Sequence, residues 1–218
     1  TVELDSLSAR IVKALYKPYG VATHHCGLES SPLPTGFYDL VIGNVPFGNV
    51  QVPEMRNVPF ANFSIHNYFF AKALEMVRPG GLVAFITSSG TMDAYKAGHR
   101  AYLNSVAKLV TAIRLPGGTF SGIAGTSVTT DLLIFQKREA KAAASYEPKW
   151  AELVRVPTSS RICGSSSTAL MTNEYFLVHP ENVIGKLQSA STQYGGQTVV
   201  CKFDGDLAQA LQERVAAM

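Results

Sequence analysis

The chain has 218 residues, 46% of them hydrophobic and only 16% charged, with 18 Gly and 11 Pro, which excludes intrinsic disorder and places it among globular domains. At this length a single core buries roughly 70% of the surface exposed by the unfolded chain, so folding needs neither a disulfide nor a metal staple. With 19 basic against 16 acidic residues the net charge is +3, which permits a nucleic-acid partner without requiring one.

Residues 1–4 read as the end of a strand. Asp5 or Ser6 can cap a following helix whose apolar face is Leu7, Ile11, Ala14 and Leu15. Lys17, Pro18, Tyr19 and Gly20 stop it. After a short apolar segment at 21–26 and a loop rich in Ser and Pro, residues 38–44 are almost continuously hydrophobic, which suits a strand buried on both faces. Residues 65–77 read as a helix closed by Arg78-Pro79-Gly80-Gly81, and 82–87 as a second buried strand. A helix is expected over 95–106 and strands over 109–115 and 129–136. This alternation predicts an α/β fold, an open and mostly parallel sheet with flanking helices. No helix separates the last two strands, so one of them can run antiparallel.

The expected organisation is a core over 1–138, a charged, Ala-rich linker over 139–149 and an accessory C-terminal segment over 150–218 with a terminal helix at 207–215. The chain does not open with Met, and its first residues already read as strand, so it is expected to be cut from a longer protein. Cys26, Cys163 and Cys201 form no CxxC pair, which indicates neither a disulfide framework nor a zinc site and fits a reducing cytoplasm. No apolar run approaches the roughly 18 residues of a membrane span.

In an open parallel sheet, ligands bind beyond the carboxyl ends of the strands. Glu3 ends the first strand, where a carboxylate can accept both hydroxyls of a ribose or simply favour a helix start. Asn44-Val45-Pro46-Phe47-Gly48 follows the hydrophobic strand. Pro46 and Gly48 restrict and then release the backbone, so an amide, a free carbonyl and an aromatic face can be offered together to a planar amine. The same residues also make an ordinary turn. Adjacent His24 and His25 point to opposite sides of a strand and make a poor metal pair. Gly122-x-x-Gly125-Thr126-Ser127 lacks the Lys of a phosphate loop. Tyr68, Phe69 and Phe70 read as helix core.

The segment Tyr38-Asp39-Leu40-Val41-Ile42-Gly43-Asn44-Val45-Pro46-Phe47-Gly48 resembles the Asn-Pro-Pro-Tyr/Phe motif of amino-methyltransferases. Pro79-Gly80-Gly81-Leu82-Val83-Ala84-Phe85-Ile86-Thr87 resembles the next strand of class I S-adenosylmethionine-dependent methyltransferases, and Val2-Glu3-Leu4-Asp5 their ribose-binding strand end. Over residues 1–138 the chain looks most like gamma-type N6-adenine DNA methyltransferases, in particular the methylase part of large bacterial and phage helicase-methylase proteins.

The resemblance implies S-adenosylmethionine as methyl donor and an adenine in DNA as acceptor, flipped into the Asn-Val-Pro-Phe pocket, with a fused or associated helicase as a further partner and no metal. By the same resemblance, Asn44 and the Val45 carbonyl accept from the target amino group, Pro46 shapes the loop, and Phe47 stacks on the base with Phe120 across from it. Glu3 and Leu4 hold the ribose end, and Gly27 and Leu28, with Glu29 beyond, hold the adenine end of the cofactor. The family's first strand and its Gly-rich turn have no counterpart here. Protein-glutamine N5-methylation is the alternative within the same chemistry. A non-catalytic scaffold of a nucleic-acid-processing protein is the alternative outside it.

Overall fold

A computed structural model of the chain describes residues 1–46, 48, 50–124, 128–139, 150–156, 170–191 and 197–217. Phe47, Cys163, the end of the Gly122 loop and the expected linker from residue 140 on lie outside the described residues.

β1 (Val2–Glu3) pairs in parallel with β2 (His24–His25), and α1 (Ser6–Tyr16) connects them, capped by the Asp5 carboxylate on the Ser8 N–H. A second sheet holds β3 (Tyr38–Asn44), β4 (Val77–Ser88), β5 (Ala107–Leu115) and β6 (Thr130–Lys137) in the order β3-β4-β6-β5. β3 and β4 are parallel, and β6 runs antiparallel to both β4 and β5. Three of the four strands therefore point the same way, and their carboxyl ends form one rim. Gly81 lets β3 and β4 approach, because a Cβ there would lie 3.0 Å from the Tyr38 carbonyl oxygen and 3.1 Å from that of Asp39.

α2 (Ile65–Met76) connects β3 to β4 and descends from that rim. Its last turn is tied down by Lys137 of β6, whose ammonium donates to the carbonyls of Glu75 and Val77. Short α3 (Gly90–Asp93) and α4 (Gly98–Val106) connect β4 to β5. The expected helix over 95–106 starts only at Gly98, because Ala94 is extended after α3. Phe70, Val83, Phe85, Leu103, Leu133 and Phe135 fill the core between α2, α4 and one sheet face.

Two expectations about burial fail. β3 is not buried on both faces: Leu40 is 49% and Ile42 71% exposed, since among the described residues β3 pairs only with β4. Leu7, Ile11, Ala14 and Leu15 of α1 are also exposed, and Ala9 alone is buried. The helix contacts chiefly β1, β2 and the turn after it.

After α5 (Ser121–Ala124) and β6, the chain forms β7 (Leu153–Arg155), β8 (Met171–Asn173), α6 (Glu174–Val178), β9 (Lys186–Ser191), β10 (Gln197–Lys202) and α7 (Leu207–Ala216). β7 pairs with β8, and β9 with β10, both antiparallel. This region is packed onto the core. Trp150 and Phe176 join the main hydrophobic cluster, and the Asn173 amide donates to the Met92 and Trp150 carbonyls. Arg114 of β5, fully buried, pairs with Asp131 at 2.8 Å and Asp93 at 2.8 Å and lies 4.0 Å over the Phe176 ring. Burial opposes the charge of Arg114, but the two carboxylates outweigh it and hold the guanidinium more firmly protonated than in water.

Candidate active site at the carboxyl rim

β3 ends at Asn44, and the next N–H, of Val45, donates to the Ile86 carbonyl of β4 at 3.1 Å. The chain thus leaves the sheet with its first residue still fixed to the neighbouring strand. The Asn44 side chain is exposed and makes no hydrogen bond among the described residues, whereas Val45 is buried and Pro46 exposed. The far limb of the loop is anchored to the start of α2: Ile65 N–H donates to the Val50 carbonyl at 2.8 Å, and Gln51 bridges to Ser64.

A polar clamp then holds the loop along α2. Tyr68 donates its hydroxyl to Glu54 at 2.7 Å, Arg56 pairs with Glu54 at 2.9 Å and Glu75 at 3.0 Å, and Lys72 meets Glu75 at 3.2 Å. Hydrogen bonds from Arg56, opposed by burial and reinforced by Tyr68, hold the Glu54 carboxyl down to about 2.

On the opposite side, Glu3 at the end of β1 accepts the Asp5 N–H at 2.8 Å with one oxygen, leaving the other available. The Glu3 carbonyl accepts from Cys26 at 3.1 Å, which carries β2 into Gly27 and Leu28. The Glu29 carboxylate lies over the Cα of Gly27, where a Cβ would displace it. Leu28 packs against the main core.

A cavity of about 1100 Å³ separates the two sides. Glu3, Leu4, Gly27 and Leu28 line it from β1 and β2, and Asn44, Val45 and Pro46 from the loop after β3. Among the described residues, every site residue expected from the sequence except Phe120 lines this one space. Phe120 lies on the loop after β5 and is half-buried against Ile113, Leu115 and Ile184.

Glu29, Gln51 and Phe69 line the cavity too. Tyr68 and Phe70 are fully buried, as helix-core residues should be, but Phe69 opens onto the cavity together with Ile65, Ala73 and Met76. Their helical spacing was the available signal. His66 and His99 are buried elsewhere, and burial pushes His99 down to about 4 despite its 2.8 Å bond to the Thr91 carbonyl. Among the described residues, no group of three or more His, Cys, Asp or Glu comes together as a metal site, and no helix is long and apolar enough to cross a membrane.

Residues 23–118 match the Eco57I restriction-modification methylase family. The chain is 29% identical over 143 residues to the Defense against restriction protein B of Escherichia phage P1, an overlap covering 65% of this chain and 6% of that protein. A protein of Listeria monocytogenes ascribed to the class I S-adenosylmethionine-dependent methyltransferases superposes on 67% of this chain and 46% of its own, with a TM-score of 0.54 at 18% identity. A modification subunit ascribed to a type I restriction enzyme of Vibrio vulnificus superposes on 97% of this chain and 49% of its own, with a TM-score of 0.53 at 16% identity. The chain therefore spans less than half the length of each of these relatives. It has the fold of class I S-adenosylmethionine-dependent methyltransferases, and its residues 23–118 are similar to the Eco57I restriction-modification methylase family.

Proposed function

We propose that the chain transfers a methyl group from S-adenosylmethionine to the N6 amino group of an adenine in DNA, flipped into the pocket after β3. One observation carries this reading: a single cavity is lined by an acidic strand end, Glu3, and by an amide with no hydrogen-bond partner among the described residues, Asn44. In this reading Glu3 and Leu4 hold the ribose of the donor, and Gly27 and Leu28 its adenine, all four lining the one cavity. The donor supplies an electrophilic sulfonium methyl.

The adenine amino group is a poor nucleophile because its lone pair is delocalised into the ring. Asn44 Oδ1 and the Val45 carbonyl would accept its two N–H bonds and draw the nitrogen toward tetrahedral geometry as the N–C bond forms and the methyl C–S bond breaks, the sulfur leaving as a neutral thioether and one amino proton passing to solvent. Fixed dipoles in a confined space act without reorganising, and placement accounts for most of the acceleration. Flipping the base costs a few kcal/mol, which stacking on Phe47 offsets by about 1–3 kcal/mol. A fused or associated helicase, which opens duplex, belongs to the same proposal.

The cavity extends along the free edge of β3, past Leu40 and Ile42. We assign this edge to one further parallel strand, ending in a Gly-rich turn that completes the grip on the donor and supplied by sequence outside these 218 residues. Main-chain pairing and apolar cover would both be gained there.

The test is methyl incorporation by the whole gene product, offered DNA and a release-factor protein side by side. The proposal expects label in DNA adenine. Label in a glutamine side chain would assign the same pocket to protein N5-methylation, and no donor binding at all would leave a scaffold.

A further inference from the structure

Tyr95 is 88% exposed and Lys96 is exposed beside it, on the segment between α3 and α4 that follows β4. An aromatic ring this bare is usually mobile or covered, but here the backbone beneath it is held by buried polar groups. Arg100, 1% exposed, donates to the Ala94 carbonyl at 2.7 Å and to the Ala151 carbonyl at 3.0 Å. His99 bonds the Thr91 carbonyl at 2.8 Å, and the Ala94 N–H donates to the Gly90 carbonyl at 3.1 Å. The nearest acid in sequence, Asp93, is engaged by Arg114 and the Asn173 N–H. Ala97 and Gly98 add no bulk, and a Cβ on Gly98 would meet nothing within 4 Å.

This segment shares the rim with the Asn44 loop. β4 adjoins β3, and the ring of His99 lies 6.4 Å from that of Phe63. Phe63 precedes Ser64, which bridges to Gln51 in the loop leaving Asn44.

We infer that Tyr95 and Lys96 form a contact for the DNA strand that carries the target base, with Tyr95 stacking on a nucleotide flanking the flipped adenine and Lys96 meeting a phosphate. The inference rests on the adenine-methylation reading above. An exposed aromatic on a held backbone, beside a cation with no ion pair among the described residues, suits a single nucleic-acid strand, because every base offers a face to stack and every nucleotide a charge. The contact is indifferent to sequence and positions the strand without selecting it.

The experiment measures binding of the 218-residue chain to a short fluorescein-labelled oligothymidine strand with one central adenine, by anisotropy across a range of KCl concentrations. Tyr95→Ala should weaken binding by about 5- to 150-fold and Tyr95→Phe should restore it. Lys96→Gln should lower the slope of log K against log salt by about 0.7. Both side chains are exposed, so thermal melts should not move. Affinity and slope unchanged in both variants would overturn the inference, as would no binding by the unsubstituted chain.

Methylation of the same strand by the whole gene product reads the catalytic proposal separately. Methylated adenine with binding indifferent to both substitutions overturns only the contact. Binding sensitive to both without methylation supports the contact and overturns the catalysis.

Discussion

In the proposed reading Asn44 and Phe47 have different tasks, and substitution can tell them apart. If Phe47 faces a flipped base, Phe47→Trp keeps substantial activity because a stacking face survives. Phe47→Ala then loses about 1–3 kcal/mol of target affinity or rate with little change in folding stability. A Phe in the core would behave oppositely, with roughly 3–5 kcal/mol of stability lost on truncation and damage from the larger Trp. Denaturant melts and methylation rates on the two variants decide between them. Asn44 could be found from sequence because an amide directly after an apolar strand, followed by Pro and Gly, is constrained by backbone chemistry alone. Gly27 and Leu28 could be placed only through a resemblance, since nothing in their own spacing marks them. Phe69 was hidden among three consecutive aromatics, where only the helical period separates the ring that opens on the cavity from the two that pack.

At the scale of the element, the loop from Asn44 to α2 is held by its downstream half, where Glu54 is the hub. Its carboxyl is held at about 2, well below its ordinary value near 4.5. The unfolded chain therefore binds the proton first as pH falls, and the stability Glu54 contributes is complete above about 4.5 and lost as pH approaches 2. Glu54→Gln should lower the denaturant midpoint at neutral pH and flatten its decline across this acid window. An acid limb identical in the two proteins would remove Glu54 from the clamp. This pairing joins residues in different elements, Glu54 to Tyr68 and Arg56 to Glu75, and no local pattern announces it. The strand and helix order was readable, because buried β segments and a capped helix differ in hydrophobic period. The exposure of β3 and α1 was not, because an apolar run records what a segment is suited to pack against, not what covers it.

For the whole molecule, the cavity between β1 and β3 couples the fold to its proposed chemistry. In the proposed reading, with the edge of β3 unpaired among the described residues, Glu3 would hold one end of the donor while no described residue walls its other end. Calorimetry on the 218-residue chain should therefore show weak or no binding of S-adenosylmethionine. Low-micromolar affinity would mean that the site is complete without a further strand. The most direct test of the central claim, that Asn44 presents an adenine amino group to the donor, is N6-methyladenine formed in DNA by the whole gene product and its Asn44→Ala variant, with donor affinity measured alongside. The account predicts that the variant loses on the order of 10²-fold or more in turnover while holding the donor nearly as well. A variant that retains most of its turnover would contradict it and reduce the Asn44 loop to a simple turn.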